Sequence, residues 1–128
     1  MENLGKILSI SEVSDKDGYD GYEVVTDKTK ISLLIKNYNL CCENWGYSSS
    51  SDDFEDFISS EVLSIVVVDE KLETINVPDD LYHGGIMFLN INTNQGTLQF
   101  AVYNSHNGYY GHEALVILGG NEFHEDYL

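Results

Sequence analysis

Apolar and polar residues alternate along most of this chain with a period of two, the spacing of a strand with one face buried, rather than the three to four of a helix. Between Lys30 and Lys36, Ile31, Leu33 and Ile35 share one face while Ser32 and Lys36 lie opposite. Further on, Leu98, Phe100 and Val102 point one way and Gln99, Ala101 and Tyr103 the other. The pattern predicts strands over 6–13, 22–26, 30–36, 62–69, 86–91, 97–103 and 113–118. Turn chemistry separates several of them: Asp15-Lys16-Asp17-Gly18, Asp27-Lys28-Thr29 and Asn92-Thr93-Asn94-Gln95-Gly96. The segment Val62–Asp69 is β-branched almost throughout, which predicts a strand buried on both faces.

The alternation breaks over 38–51, where Cys-Cys-Glu-Asn-Trp-Gly-Tyr runs into four serines. A short helix is predicted over 53–59, capped by Ser51 or Asp52, with Phe54, Phe57 and Ile58 at helical spacing and acids in the first turn. Residues 70–84 form a polar connection holding the only proline, Pro78. The expected fold class is α+β: six or seven mainly antiparallel strands with one short helix. The expected organisation is a single β-rich domain over 1–118, followed by an acidic C-terminal tail over 119–128.

Charge narrows the functional classes. Six lysines stand against 22 carboxylates, giving −16 in 128 residues. Arginine is absent, and beyond Lys71 there is no fixed positive charge. Such a chain lacks the cations that grip a phosphate backbone, so no direct nucleic-acid partner is expected. The charge exceeds the magnitude of roughly 2 to 8 that solubility asks for, and a field this negative draws in basic surfaces. With no apolar run long enough to span a bilayer and no signal-peptide pattern, no membrane partner is expected and the cytoplasm is the expected location. Cys41 and Cys42 are adjacent, a poor geometry for bridging each other, and are expected as reduced thiols.

The densest concentration of reactive and contact-forming side chains is Asn104–His112, which packs His106, Asn107, Tyr109, Tyr110 and His112 around Gly108 and Gly111. With Trp45 and Tyr47 it has the composition of a stacking site for a flat ligand. Adjacent cysteines match zinc-ligand spacing poorly, so no metal and no cofactor is expected. A cysteine, a histidine and an acid satisfy the parts list for nucleophilic catalysis, but acidic surroundings oppose thiolate formation, and no catalytic residue is assigned. The acids Asp52, Asp53, Glu55 and Asp56 form a compact negative stretch around Phe54.

Three segments carry a resemblance: Cys41-Cys42-Glu43-Asn44-Trp45-Gly46, Asp53-Phe54-Glu55-Asp56-Phe57-Ile58, and Asn104-Ser105-His106-Asn107-Gly108-Tyr109-Tyr110. In this order they resemble a family of small uncharacterised proteins of bacteriophages and prophages, over roughly residues 20–118. The resemblance implies a phage or mobile-element setting, in which small acidic proteins block host defence systems, and it brings no catalytic residues. The primary expectation is therefore a non-catalytic protein that inhibits a host factor by covering its basic surface, through Asp52, Asp53, Glu55, Asp56, Tyr109 and Tyr110. The alternative is a protein that sequesters a nucleotide-like signal through Trp45, His106, Asn107, Tyr109, Tyr110 and His112, and a metal-dependent hydrolase stands third. Alternating strands with few charges from Ile86 to Tyr103 make a homodimer by sheet edge a further expectation.

Overall fold

A computed structural model describes residues 4–37, 43–51, 53–72, 75, 77, 85–106 and 113–128. Among them the chain forms nine strands: β1 (Ile7–Lys16), β2 (Tyr19–Thr26), β3 (Lys30–Lys36), β4 (Glu43–Ser49), β5 (Val62–Val68), β6 (Gly85–Thr93), β7 (Gly96–His106), β8 (Glu113–Leu118) and β9 (Asn121–Tyr127). They build a five-stranded sheet in the order β1-β2-β3-β8-β9 and a four-stranded sheet in the order β4-β7-β6-β5. Every pairing within these sheets is antiparallel. The inward side chains of both sheets meet in one core, where Val24, Ile31, Leu33 and Ile35 from the larger sheet pack with Leu89, Ile91, Leu98 and Val102 from the smaller. The architecture is a two-layer β-sandwich. This corrects the expected α+β class.

Local sequence explains most of the connections. Asp17 and Gly18 both take positive φ, 55° and 84°, between β1 and β2, as a two-residue hairpin of the I′ kind requires. Gly119 and Gly120, at 62° and 86°, do the same between β8 and β9. The Thr26 hydroxyl donates to the Leu4 and Thr29 carbonyls and accepts from the Lys28 and Thr29 amides, which closes the β2–β3 turn. At one corner the two sheets are stitched together. The Ile7 amide donates to the Ser60 carbonyl, the Ser59 amide to the Ile7 carbonyl, and the Leu4 amide to the Val62 carbonyl.

That stitching replaces the predicted helix. The segment 53–59 contains only a 3-10 turn, Phe54–Phe57, in which the Asp53 carboxylate accepts from the Glu55 amide. Ile58 is already extended and Ser59 has φ of 70°, so the segment leaves helical geometry before an α-helical ladder can grow. Cross-sheet bonds to Ile7 then take the backbone groups a helix would use. Two strands lie where none was predicted. β4 falls in the irregular 38–51 stretch, with Trp45 and Tyr47 packed against the core. β9 occupies the region expected as an acidic tail, paired with β8, and Leu128 beyond it is buried. β5 is an end strand of its sheet, with Leu63 and Val66 exposed by 45% and 42%, and is not buried on both faces.

The outer face of the smaller sheet is covered by the chain itself. Gln99 is fully buried there, on the side of β7 away from the main core. Its Oε1 accepts from the Leu72 amide at 2.9 Å, and its Nε2 donates to the Glu70 carbonyl at 2.9 Å and to Asn90 Oδ1 at 2.8 Å. Beside it Ile75 packs on Phe88 and Ala101 as a second, smaller apolar cluster. Gln99→Leu removes all three bonds while keeping the bulk. The expected cost is about 2 kcal/mol, because buried amide and carbonyl groups are left without partners. Amide exchange at Leu72 and Ile75 should rise with it; unchanged exchange there would show that the apolar cluster alone holds this connection down.

Candidate functional site

The end strands β1 and β4 flank an open groove on one side of the sandwich. One cleft, about 600 Å³, lies between Ile10, Ser11 and Glu12 on β1 and residues 47–51 of β4 and its continuation. A second, about 620 Å³, continues it past Leu8, Ser9, Glu55 and Ile58. The two share Ile10 and Phe54 and so lie next to each other along β1.

Aromatic rings make its floor. Tyr22 on β2 stacks on Phe100 on β7, with centroids 4.3 Å apart and planes within 9°. Tyr47 meets Tyr22 edge-on at 5.3 Å, and Phe54 meets both Tyr22 and Phe100 edge-on at 6.1 Å. Burial, and then the nearby Glu12 carboxylate, hold the Tyr22 hydroxyl well above the ordinary phenol range. Burial, with Glu12 and Asp20, also raises Tyr47. A raised folded-state pKa means that the native state keeps a proton the unfolded chain releases. The associated stability is therefore complete below pH 10, the ordinary phenol value, and is lost as pH rises above it. Alkaline unfolding should steepen by about 1.4 kcal/mol per pH unit for Tyr22 in that window. A Tyr22→Phe protein that follows the parent's alkaline profile would contradict this.

Acids rim the groove. Glu12 on β1 lines the first cleft and Glu55 the second, and Asp53 and Asp56, expected with Glu55 as partner contacts, flank it on the same 3-10 segment. No lysine lines either cleft among the described residues. Trp45 stands opposite Asn104 in the β4–β7 register and packs, half-buried, against the core. His106 ends β7 opposite Glu43. Asp52, Asn107, Tyr109, Tyr110 and His112, and with them Cys41 and Cys42, lie outside the described residues. Among the described residues no three His, Cys, Asp or Glu side chains come together as metal ligands, and no helix is long and apolar enough to cross a membrane. Sequence reasoning did not pick out Tyr22 or Glu12, and it named Tyr47 only as a stacking residue beside Trp45. Tyr22 and Glu12 lie in strand segments read only for their alternation, and Tyr47 joins them only through sheet packing.

The cations sit elsewhere. On the outer face of the larger sheet, Lys16 and Lys30 approach Glu23 at 3.2 and 3.7 Å. Nearby, the Lys36 ammonium lies 4.6 Å from the Tyr19 ring centroid. Lys16 and Lys30 edge a hollow of about 280 Å³ that is also lined by Leu34, Leu115 and Ile117. Half of the six lysines in the chain are thus spent on a face remote from the groove.

The described residues thus define a two-sheet antiparallel sandwich with an aromatic-floored groove between strand edges. The chain matches the Domain of unknown function (DUF7448) family over residues 2–116 and belongs to that family. No curated protein and no solved structure matches it.

Proposed function

We propose that this protein is a non-catalytic binding protein that engages a basic surface of another protein through the acidic groove between β1 and β4. The observation that carries the reading is the separation of charge: Glu12 and Glu55 line the groove with Asp53 and Asp56 beside it, no lysine lines it among the described residues, and Lys16, Lys30 and Lys36 gather on the opposite side of the larger sheet. Opposite potentials steer encounter and fix register, and the groove's aromatic floor supplies the apolar contact that charge alone does not. Inhibition of a host defence factor is the role that this chemistry and the resemblance to phage proteins together favour.

The reading predicts that the parent protein captures basic proteins from bacterial lysate at about 50 mM salt and releases most of them at about 300 mM. A protein carrying Asp53→Asn, Glu55→Gln and Asp56→Asn should lose at least about tenfold of that capture, because rim charges act mainly on association and its salt dependence. Equal capture by both proteins, or capture indifferent to salt, would remove the proposal. All three side chains are exposed, and asparagine at position 53 can still accept from the Glu55 amide, so the triple variant is expected to keep the fold, which a thermal melt checks.

A further inference from the structure

We infer that the groove takes an extended, lysine- or arginine-bearing segment of another protein as an added strand along the outer edge of β1. The inference rests on the acidic-binding reading above and specifies how the partner is held.

The lining of the groove shows its direction. Along a strand, successive side chains point to opposite faces, so a hollow on a sheet face touches alternate residues. The hollow on the far side of the larger sheet does so, meeting Ser32 and Leu34 on β3, and Leu115 and Ile117 on β8. The groove instead touches five consecutive residues of β1, Leu8, Ser9, Ile10, Ser11 and Glu12. On the other side it touches the consecutive run 47–51. Consecutive lining on both walls means that the channel follows strand edges, where backbone N–H and C=O groups lie, rather than sheet faces.

Among the described residues those edges are available. β1 ends the larger sheet and β4 ends the smaller. From Ser9 to Val13, β1 pairs in unbroken register with β2 on one side, and no other strand among the described residues pairs with it there. The five lining residues span about 13 Å of strand, room for a bound segment of four or five residues. Natural proteins commonly guard such edges with lysine or proline. Between Ile7 and Asp15 this strand has neither. At the far end of the channel Leu8 and Ile58 are exposed by 58% and 36%. An added strand would cover both.

Charge selects the occupant. Glu12 and Glu55 face the channel, so a basic segment is complementary and an acidic one is not. A second copy of this chain would set the same carboxylates against each other across a self-complementary contact, which a net charge of −16 further opposes. Main-chain bonds to the edge then give affinity, and alternate side chains over Glu12 and the aromatic floor give selectivity, as in other recognition by strand addition.

The test uses end-blocked synthetic peptides of about eight residues, the length of an ordinary strand. One alternates lysine and valine, one alternates glutamate and valine, and two are lysine–valine peptides N-methylated on one or the other alternate set of amides. Methylation keeps the charge and removes the donors that an added strand needs. The lysine–valine peptide should bind the full chain and slow amide exchange within residues 8–13. One of the two methylated sets should weaken binding at least about tenfold, and Glu12→Lys, at an exposed position, should do the same. Equal binding by both methylated peptides would leave charge-driven binding standing and overturn strand addition. Protection located away from β1, or no binding by the lysine–valine peptide while the parent still captures basic proteins in a charge-dependent way, would overturn it as well. If the charge-dependent capture fails too, the acidic-binding reading falls with it.

Discussion

Gly21→Ala is expected to destabilise the protein by about 3 kcal/mol or more, a fall in melting temperature on the order of 10 °C for a domain of this size. Gly21 lies within β2, opposite Val13 of β1 on one side and Leu34 of β3 on the other. Its φ of 155° is a conformation that side-chain-bearing residues rarely adopt. A Cβ there would run into the Leu33 carbonyl oxygen and come within 3.1 Å of the Leu34 Cα, both of them backbone. Backbone in the middle of a sheet has no rotamer to change, so either the β2–β3 ladder shifts or β2 is pushed out of line. Either response moves the next residue, Tyr22, off Phe100 and disturbs the groove floor. Gly96→Ala is the control. It also has positive φ, 118°, but open space around the added carbon, and should cost only about 1 kcal/mol. Thermal melts giving the two variants equal losses would show that backbone conformation, and not the approach of β3, sets the requirement at Gly21.

Much of this architecture is legible in the sequence where side-chain alternation and turn chemistry agree. β3 reads correctly because Ile31, Leu33 and Ile35 are all apolar and all inward. The β6–β7 hairpin reads correctly because both strands alternate around a polar turn, although the strands run longer than the apolar pattern, to Thr93 and His106. β4 hides because one of its faces is built from small and polar residues. Gly46 lies under the Tyr103 ring, so the apolar signal reduces to Trp45 and Tyr47. The alternation of aromatic and small residues from Trp45 to Ser48 was the usable clue. β9 hides because an end strand can be almost wholly polar. Its clue was Gly119-Gly120, a two-residue turn directly after an apolar strand. The helix was over-read because Phe54 and Phe57 have helical spacing, yet Phe54 is drawn into an aromatic cluster whose other members lie on β2, β4 and β7. The acids of the candidate site were legible as a charge run. The groove beside them was not, since it exists only where two strands distant in sequence come to flank one opening.

Phe100→Ala is expected to cost about 3–5 kcal/mol, the usual range for emptying a fully buried aromatic position. Phe100 is 1% exposed and stands between Ser49 of β4 and Leu89 of β6 at the centre of the smaller sheet. Its ring is the face on which Tyr22 stacks and the wall that Phe54 meets edge-on, contacts worth a further ~0.5–1.5 kcal/mol beyond area burial. Phe100→Leu separates the two contributions, because it keeps most of the volume, loses the rings' mutual geometry and should cost less than about 1.5 kcal/mol. In that milder variant the fold persists, so local effects can be read. Phe54 loses its wall, and the turn bearing Asp53, Glu55 and Asp56 is then held mainly by the Ser59 and Ser60 backbone bonds to Ile7. Amide exchange at Ile58 should rise before that of the β6–β7 ladder, and binding of basic partners should weaken in step with it. Faster exchange across both sheets together would instead mean that the aromatic cluster supports the sandwich as a whole and gives the acidic rim no separate anchorage.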